Sequence, residues 1–143
     1  MTAPPDAIVH ASCVAIRGRA VLLAGRSGAG KSDLALRLID RGAALVSDDY
    51  TELRGAGETL LARAPATIAG KIELRGVGIV EIAPQADVPV CLYADLDTEP
   101  ERLPEPAAIR LAGLEIPRVA LAALEPSAPL KLEYALVKFG LPL

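Results

Sequence analysis

The sequence predicts an α/β domain that is rich in strand and poor in helix, and three observations carry that expectation. Apolar residues make up 52% of the 143 residues, yet aromatics make up only 3% and tryptophan is absent, so the core has to be aliphatic. A glycine-rich loop stands between a short buried-strand pattern and an amphipathic helical pattern within residues 20–41. From Thr51 onward the chain breaks into short β-leaning pieces punctuated by glycine and proline. Long helices between strands are missing, which excludes a doubly wound parallel sheet. The length favours one domain over residues 1–143, and such a domain buries roughly 70% of its unfolded surface without a disulfide or metal staple.

Taken in order, residues 1–6 read as a loose, proline-containing leader. IVHASCVAI, from Ile8 to Ile16, is one strand-like run, and Arg17-Gly18-Arg19 turns the chain into a buried strand, AVLLAG. KSDLALRLIDRG places Leu34, Leu38 and Arg41 at helical spacing, with Leu36 and Ile39 widening the apolar face. Gly42 is placed to close that helix in a left-handed cap. AALVSDDY is a buried strand that stops in two carboxylates. TELRGAGETLLARAP, KIELRGVGIVEI and VPVCLYADLD are strand pieces. In the second of these, Glu73 and Arg75 share strand parity, and Gly76 and Gly78 flank a candidate bulge. DTEPERLPEPAA, with three prolines, is a surface connection. IRLAGLEIPRVAL makes a hairpin around Ala112-Gly113, and SAPLKLEYALVKFG a final helix with Ser127 as N-cap and Gly140 past its end.

Charge and cysteine content narrow the function. The net charge of −3 and pI near 5.2 exclude a nucleic-acid surface, which needs a basic stripe and stacking aromatics. Cys13 and Cys91 lie far apart without a CxxC spacing and read as reduced core thiols, which fits a reducing compartment. The N-terminus lacks the pattern of a secretory signal, and no uncharged apolar run approaches the ~18 residues of a membrane span. The expectation is a soluble cytoplasmic protein with no membrane partner.

Gly25-Arg26-Ser27-Gly28-Ala29-Gly30-Lys31-Ser32 matches G-x-x-x-x-G-K-[ST] in full, with a strand before it and a helix after it. Such a loop aims backbone N–H groups at phosphate oxygens, and glycine permits both the tight path and the close approach. The helix N-terminus adds partial positive charge. Lys31 would reach the outer phosphates, and the Ser32 hydroxyl would ligate Mg²⁺. Asp48 and Asp49 supply the carboxylates that phosphoryl transfer needs beside the metal. One would act as general base, the other would hold metal-bound water or Lys31, and mutual repulsion would raise one pKa. Adjacent strand residues face opposite ways, so both reach the phosphates only if the strand ends between them. A Glu73 on Mg²⁺ beside an Arg75 on phosphate would complete a transfer site. His10, the single histidine, reads from spacing alone as a solvent-facing strand end.

Asparagine is absent, which excludes the eukaryotic-type kinase catalytic loop and the guanine-reading N-K-x-D motif. A compact phosphate-loop phosphotransferase, acting on a protein or a small molecule, and a nucleotide-sensing module without transfer all remain.

The order of these motifs resembles the bacterial HPr kinase/phosphorylase family. The likeness runs through VHASCVAIRGRAVLLAGRSGAGKSDLALRLIDRGAALVSDD and IELRGVGIVEI, and more loosely through residues 88–122. It is a likeness to the catalytic core alone, in a short form similar to those of alphaproteobacteria. The resemblance implies a P-loop domain with a mixed β-sheet, phosphoenolpyruvate carboxykinase-like, with few helices. It implies ATP and Mg²⁺ as cofactors and an HPr-like phosphocarrier as partner, phosphorylated on serine and open to reverse phosphorolysis. It also makes a homo-oligomer a candidate assembly. His10 matches the family's active-site histidine, against the reading from spacing. Gly25 to Ser32 match the ATP loop, Lys31 being catalytic. Asp48 and Asp49 match the acidic pair, with Asp49 the favoured base. Glu73 matches a second metal ligand beside Ser32, and Arg102 an arginine at the phosphoryl site.

Overall fold

The structure is a computed structural model that describes residues 4–143; residues 1–3 of the expected leader lie outside the described residues. The leader is tied down at its end, because the Asp6 amide donates to Leu53 O at 2.9 Å and its carboxylate accepts from the Gly55 amide at 2.6 Å. The first strand-like run is split in two. β1 (Ala7–Val9) and β2 (Ala11–Ile16) are separated by a bend at His10. β3 (Arg19–Ala24) returns antiparallel to β2, with Ala11 opposite Ala24 and Ile16 opposite Arg19. The glycine loop follows, and α1 (Lys31–Asp40) begins at the loop lysine. β4 (Ala44–Ser47) pairs antiparallel with β2, so β3 and β4 run parallel with β2 between them.

β5 (Thr51–Ala56) and β6 (Thr59–Arg63) form a hairpin, and β7 (Lys71–Leu74) and β8 (Gly78–Glu81) form a separate two-stranded one. The expected bulge in KIELRGVG is instead the turn of that second hairpin. Leu74 faces Gly78 across it, Gly76 and Gly78 have φ of 87° and 108°, and Arg75 lies in the turn. Strand parity therefore does not join Arg75 to Glu73. β9 (Val88–Asp95) is the axis of the molecule, pairing parallel with β3, antiparallel with β6 at its start, and parallel with a later strand at its end. β10 (Ala107–Leu111) and β11 (Leu114–Ala120) supply that later strand. Their turn residues Ala112 and Gly113 have φ of 48° and 82°, the two left-handed positions of a type I′ hairpin. α2 (Ala128–Phe139) closes the chain. Among the described residues the strand order is β1-β5-β6-β9-β3-β2-β4, with β10–β11 attached through β9, and there are two α-helices. This is the expected mixed sheet with few helices.

Alternation along the central strands sorts side chains into two cores. Val14 of β2 and Val21 and Leu23 of β3 pack under α1 and α2 with Leu34, Leu38, Leu132 and Leu136. Cys13 and Ala15, and Ala20 and Leu22, face the other way onto Leu53, Leu60, Val46 and Ile116. Both faces of β2 and β3 are thus buried, which is why their sequences read as continuous apolar runs. Burying each leucine contributes about 1.5–3 kcal/mol. Cys13 and Cys91 are free and buried, one in each core.

The ends of the helices follow from local chemistry. α1 stops in a Schellman arrangement, with Ala43 N on Leu38 O and Gly42 N on Ile39 O, and Gly42 at φ 107°. Ser127 stands at the α2 N-cap but its side chain makes no capping bond, and Gly140 is extended rather than left-handed. Past α2, Leu141 N donates to Cys91 O at 2.9 Å, while Arg19 donates to Leu141 O and Leu136 O. The Leu141 side chain packs against both cores.

Candidate active site

The glycine loop leaves the sheet at the C-terminal end of β3. Gly28 and Gly30 sit at φ 88° and 98°, where a side chain would be strained, and a Cβ on Gly30 would lie 3.0 Å from Leu124. Gly25 is needed for close approach, since a Cβ there would meet Ala29 Cβ at 2.9 Å. The Ala29 amide bonds Arg26 O, but the amides of Gly28, Gly30, Lys31 and Ser32 donate to no group among the described residues. Unsatisfied N–H groups converging at a helix N-terminus suit an anion.

Lys31 is 6% exposed, and Nζ donates to Gly25 O at 2.6 Å and Arg26 O at 3.1 Å. A buried ammonium is thereby held inside its own loop. Ser32 Oγ donates to Asp48 Oδ1 at 2.6 Å. The same Asp48 oxygen accepts from Ser12 Oγ at 3.0 Å, and Oδ2 accepts from the Glu73 amide at 3.0 Å. Asp48 is 8% exposed, so this carboxylate is buried and fully engaged.

Asp49 differs in every respect. β4 ends at Ser47, and the Tyr50 amide donates back to Asp48 O at 2.8 Å around Asp49 at φ 67°. An i→i+2 bond about a left-handed residue is the rare, strained form of γ-turn. That turn, braced by Ser47 Oγ on Tyr50 O and by Ser12 Oγ accepting from the Asp49 amide, lets both carboxylates reach one place despite being neighbours. Asp49 Oδ1 lies 2.9 Å from His10 Nε2 and 4.0 Å from Lys31 Nζ, with its side chain 53% exposed. His10 in turn stacks on Tyr50, the ring centroids 4.9 Å apart. The bend between β1 and β2 thus delivers His10 to the acidic pair while leaving it exposed, as its spacing predicts.

The structure brings His10, Lys31, Ser32, Asp48 and Asp49 together. It does not gather the remaining expected residues in the same way. Glu73 reaches Asp48 through its backbone, and its own carboxylate is exposed. Arg75 in its turn and Arg102 in the connection between β9 and β10 are exposed, and neither makes a hydrogen bond or ion pair among the described residues. No group of three or more His, Cys, Asp or Glu is poised for a metal among the described residues. The hard-oxygen donors on offer are the Ser32 hydroxyl and the Asp48 carboxylate, a sparse set that suits Mg²⁺, which keeps most of its waters.

Four participants escaped sequence reasoning. Ser12 and Tyr50 brace the acidic turn. Asp97 accepts the Arg26 amide at 3.0 and 3.2 Å, and its Oδ1 lies 3.3 Å from the Arg26 guanidinium. Asp95 binds Thr98 Oγ1 at 2.7 Å, the Asp97 amide at 2.9 Å and Arg118. Burial would raise the Asp95 pKa, but those three donors together outweigh it and hold the carboxyl below its ordinary value. The available signal was a second acidic strand end: YADLD closes its buried run as LVSDD does.

A curled mixed sheet with a glycine loop at one strand end and an acidic turn at another places the chain among α/β domains organised about a single strand-end site. Within that class, a family model described as the HPr Serine kinase C-terminal domain matches residues 2–85, and the chain belongs to that family. An HPr kinase/phosphorylase of Chlorobium chlorochromatii is 42% identical over 130 residues, covering 80% of this chain and 39% of the relative. One from Caldanaerobacter subterraneus is 46% identical over 79 residues, covering 54% of this chain and 26% of the relative. The chain therefore spans well under half the length of these relatives. The solved structure of the Hpr(Ser) kinase/phosphatase from Coxiella burnetii superposes with a TM-score of 0.79 at 27% identity, covering 92% of this chain and 95% of that one.

Proposed function

We propose that this chain moves the γ-phosphate of ATP to a serine of an HPr-type phosphocarrier, with Mg²⁺, and that the same site supports the reverse phosphorolysis. The observation that carries the reading is convergence. The Ser32 hydroxyl sits 2.6 Å from one carboxylate of the acidic pair, while the Lys31 ammonium sits 4.0 Å from the other. Family membership supports the substrate class.

The two carboxylates divide the work by environment. Asp48, buried and bonded to Ser32, would hold Mg²⁺ together with the Ser32 hydroxyl, and Glu73 would approach from the neighbouring hairpin. When bound, the metal would offset triphosphate charge. The loop amides and Lys31 would seat the phosphates. Asp49 is open to a macromolecular substrate, and its Oδ1 would take the proton from the serine Oγ as the Oγ–P bond forms and the bond to ADP breaks. His10 would orient that carboxylate through its 2.9 Å contact. Arg75 and Arg102, both exposed, would steady the transferring charge. Two buried free thiols fit a cytoplasmic setting, and no helix among the described residues is long and apolar enough to cross a membrane.

Incubating the chain with HPr and γ-labelled ATP tests this directly. Label on an HPr serine, with Lys31→Ala lowering turnover about 10²–10³-fold, is the expected result. Label confined to ATP, or found on a small molecule, overturns it.

A further inference from the structure

We infer that Asp97 is a positioning residue for the phosphate loop, acting on Lys31 through a single peptide group; the inference rests on the nucleotide-binding reading above. β3 and β9 run parallel, with Ala24 opposite Asp95 at their ends. Leu96 N donates to Ala24 O at 2.8 Å as the last rung between them. The next amide due to reach across is that of Arg26, but β9 has already turned away, its Asp97 amide folding back onto Asp95 Oδ1 at 2.9 Å. The Arg26 amide donates instead to the Asp97 carboxylate, within 3.2 Å of both oxygens. A side chain therefore supplies the rung at the point where the loop leaves the sheet.

That rung has a second end. The Arg26 nitrogen and the Gly25 carbonyl belong to one peptide plane, and Gly25 O accepts from Lys31 Nζ at 2.6 Å. Asp97 grips the plane on its N–H side and Lys31 on its C=O side. A charge-assisted bond on the amide polarises the peptide and strengthens its carbonyl as an acceptor. Rotating this plane would break the ammonium's 2.6 Å bond to Gly25 O and leave it the 3.1 Å bond to Arg26 O, and among the described residues Asp97 is the group that holds the plane's N–H side. Asp97 is itself fixed from below, because Arg118 of β11 and Thr98 both bind the Asp95 carboxylate that receives the Asp97 amide. The Arg26 guanidinium, on a side chain 78% exposed, adds a contact at 3.3 Å to the same carboxylate. The bond to the backbone amide carries the function, since exposed ion pairs contribute little.

Three readouts on Asp97→Ala and Asp97→Asn test this, with Glu99→Ala as a nearby exposed control. Removing the acceptor should speed hydrogen exchange of the Arg26 amide roughly tenfold or more. Acetylation of Lys31 under limiting reagent, mapped by mass spectrometry, should rise by about the same factor. Affinity for Mg²⁺-ATP by calorimetry should fall about tenfold, while the melting temperature stays within a few degrees. Asp97→Asn keeps one acceptor oxygen and should fall between wild type and alanine; it also decides the matter if the alanine variant does not fold. Unchanged Arg26 exchange and Lys31 reactivity in both variants overturns the inference, as does a change equally large in Glu99→Ala. A wild-type chain that binds no ATP sinks the kinase reading, and the exchange and acetylation arms then still decide the role of Asp97.

Discussion

Asp48 and Asp49 are chemically identical neighbours, and their surroundings predict that they fail differently when amidated. Asp48 accepts from two hydroxyls and a backbone amide in a buried setting. Asp48→Asn puts an NH₂ where acceptors are needed, so it should cost about 1–3 kcal/mol of stability and weaken Mg²⁺-ATP binding. Asp49→Asn should leave the melting temperature and ATP affinity nearly unchanged while transfer to serine falls by about 10²–10⁴-fold. Paired thermal melts and labelled-transfer assays check the split, and equal effects in both assays would refute the division of roles. The sequence shows the doublet but not this asymmetry, because burial and the γ-turn at Asp49 depend on Ser12, a residue 37 positions away from it. A serine inside an apolar strand looks like a small filler until its partners are known. His10 illustrates the reverse case. Its spacing points to solvent, and only the bend that interrupts the strand brings it to Asp49.

The glycine loop shows what an element demands beyond its motif. Gly30→Ala meets two obstacles, a left-handed backbone at φ 98° and Leu124 at 3.0 Å. Gly57→Ala, in the β5–β6 turn, meets only the first, at φ 66° with nothing within 4 Å. Both should lose about 1–2 kcal/mol from backbone strain. Gly30→Ala should in addition weaken ATP binding at least tenfold, whereas Gly57→Ala should not alter it; calorimetry alongside melts separates the two. Elements whose signals are local were legible: the α1 periodicity and its Gly42 cap, and the Ala112-Gly113 hairpin. Where one local pattern serves two structures, the sequence misleads. Two glycines separated by a single residue fit a bulge or a hairpin turn, and the pairing of Glu73 with Ile79 decides for the turn.

At the scale of the whole molecule, the strand order could not be read, because β9 gathers β3, β6 and β11 from distant parts of the chain. No periodicity encodes such pairings. The junction of β9 and β11 is also where acid should strike. The Asp95 carboxyl is held below its ordinary pKa when folded, so the unfolded chain takes up its proton first. Its stabilisation is complete above the ordinary carboxylate value of about 4 and disappears as pH falls through the lower folded value. Asp95→Asn should therefore flatten the acid limb of a stability-against-pH curve, lying below wild type at neutral pH and merging with it in strong acid. Parallel curves across that range would place the acid sensitivity elsewhere.

Leu141 fastens the last residues across the rim of the sheet, leaning on both cores while its amide engages Cys91. The two native thiols make that fastening observable, since each sits in a different compartment. Deleting residues 140–143 should render Cys13 and Cys91 open to alkylation in step, as a zip parts on both sides at once. Labelling of one thiol without the other would mean that the two sides of the sheet come loose independently.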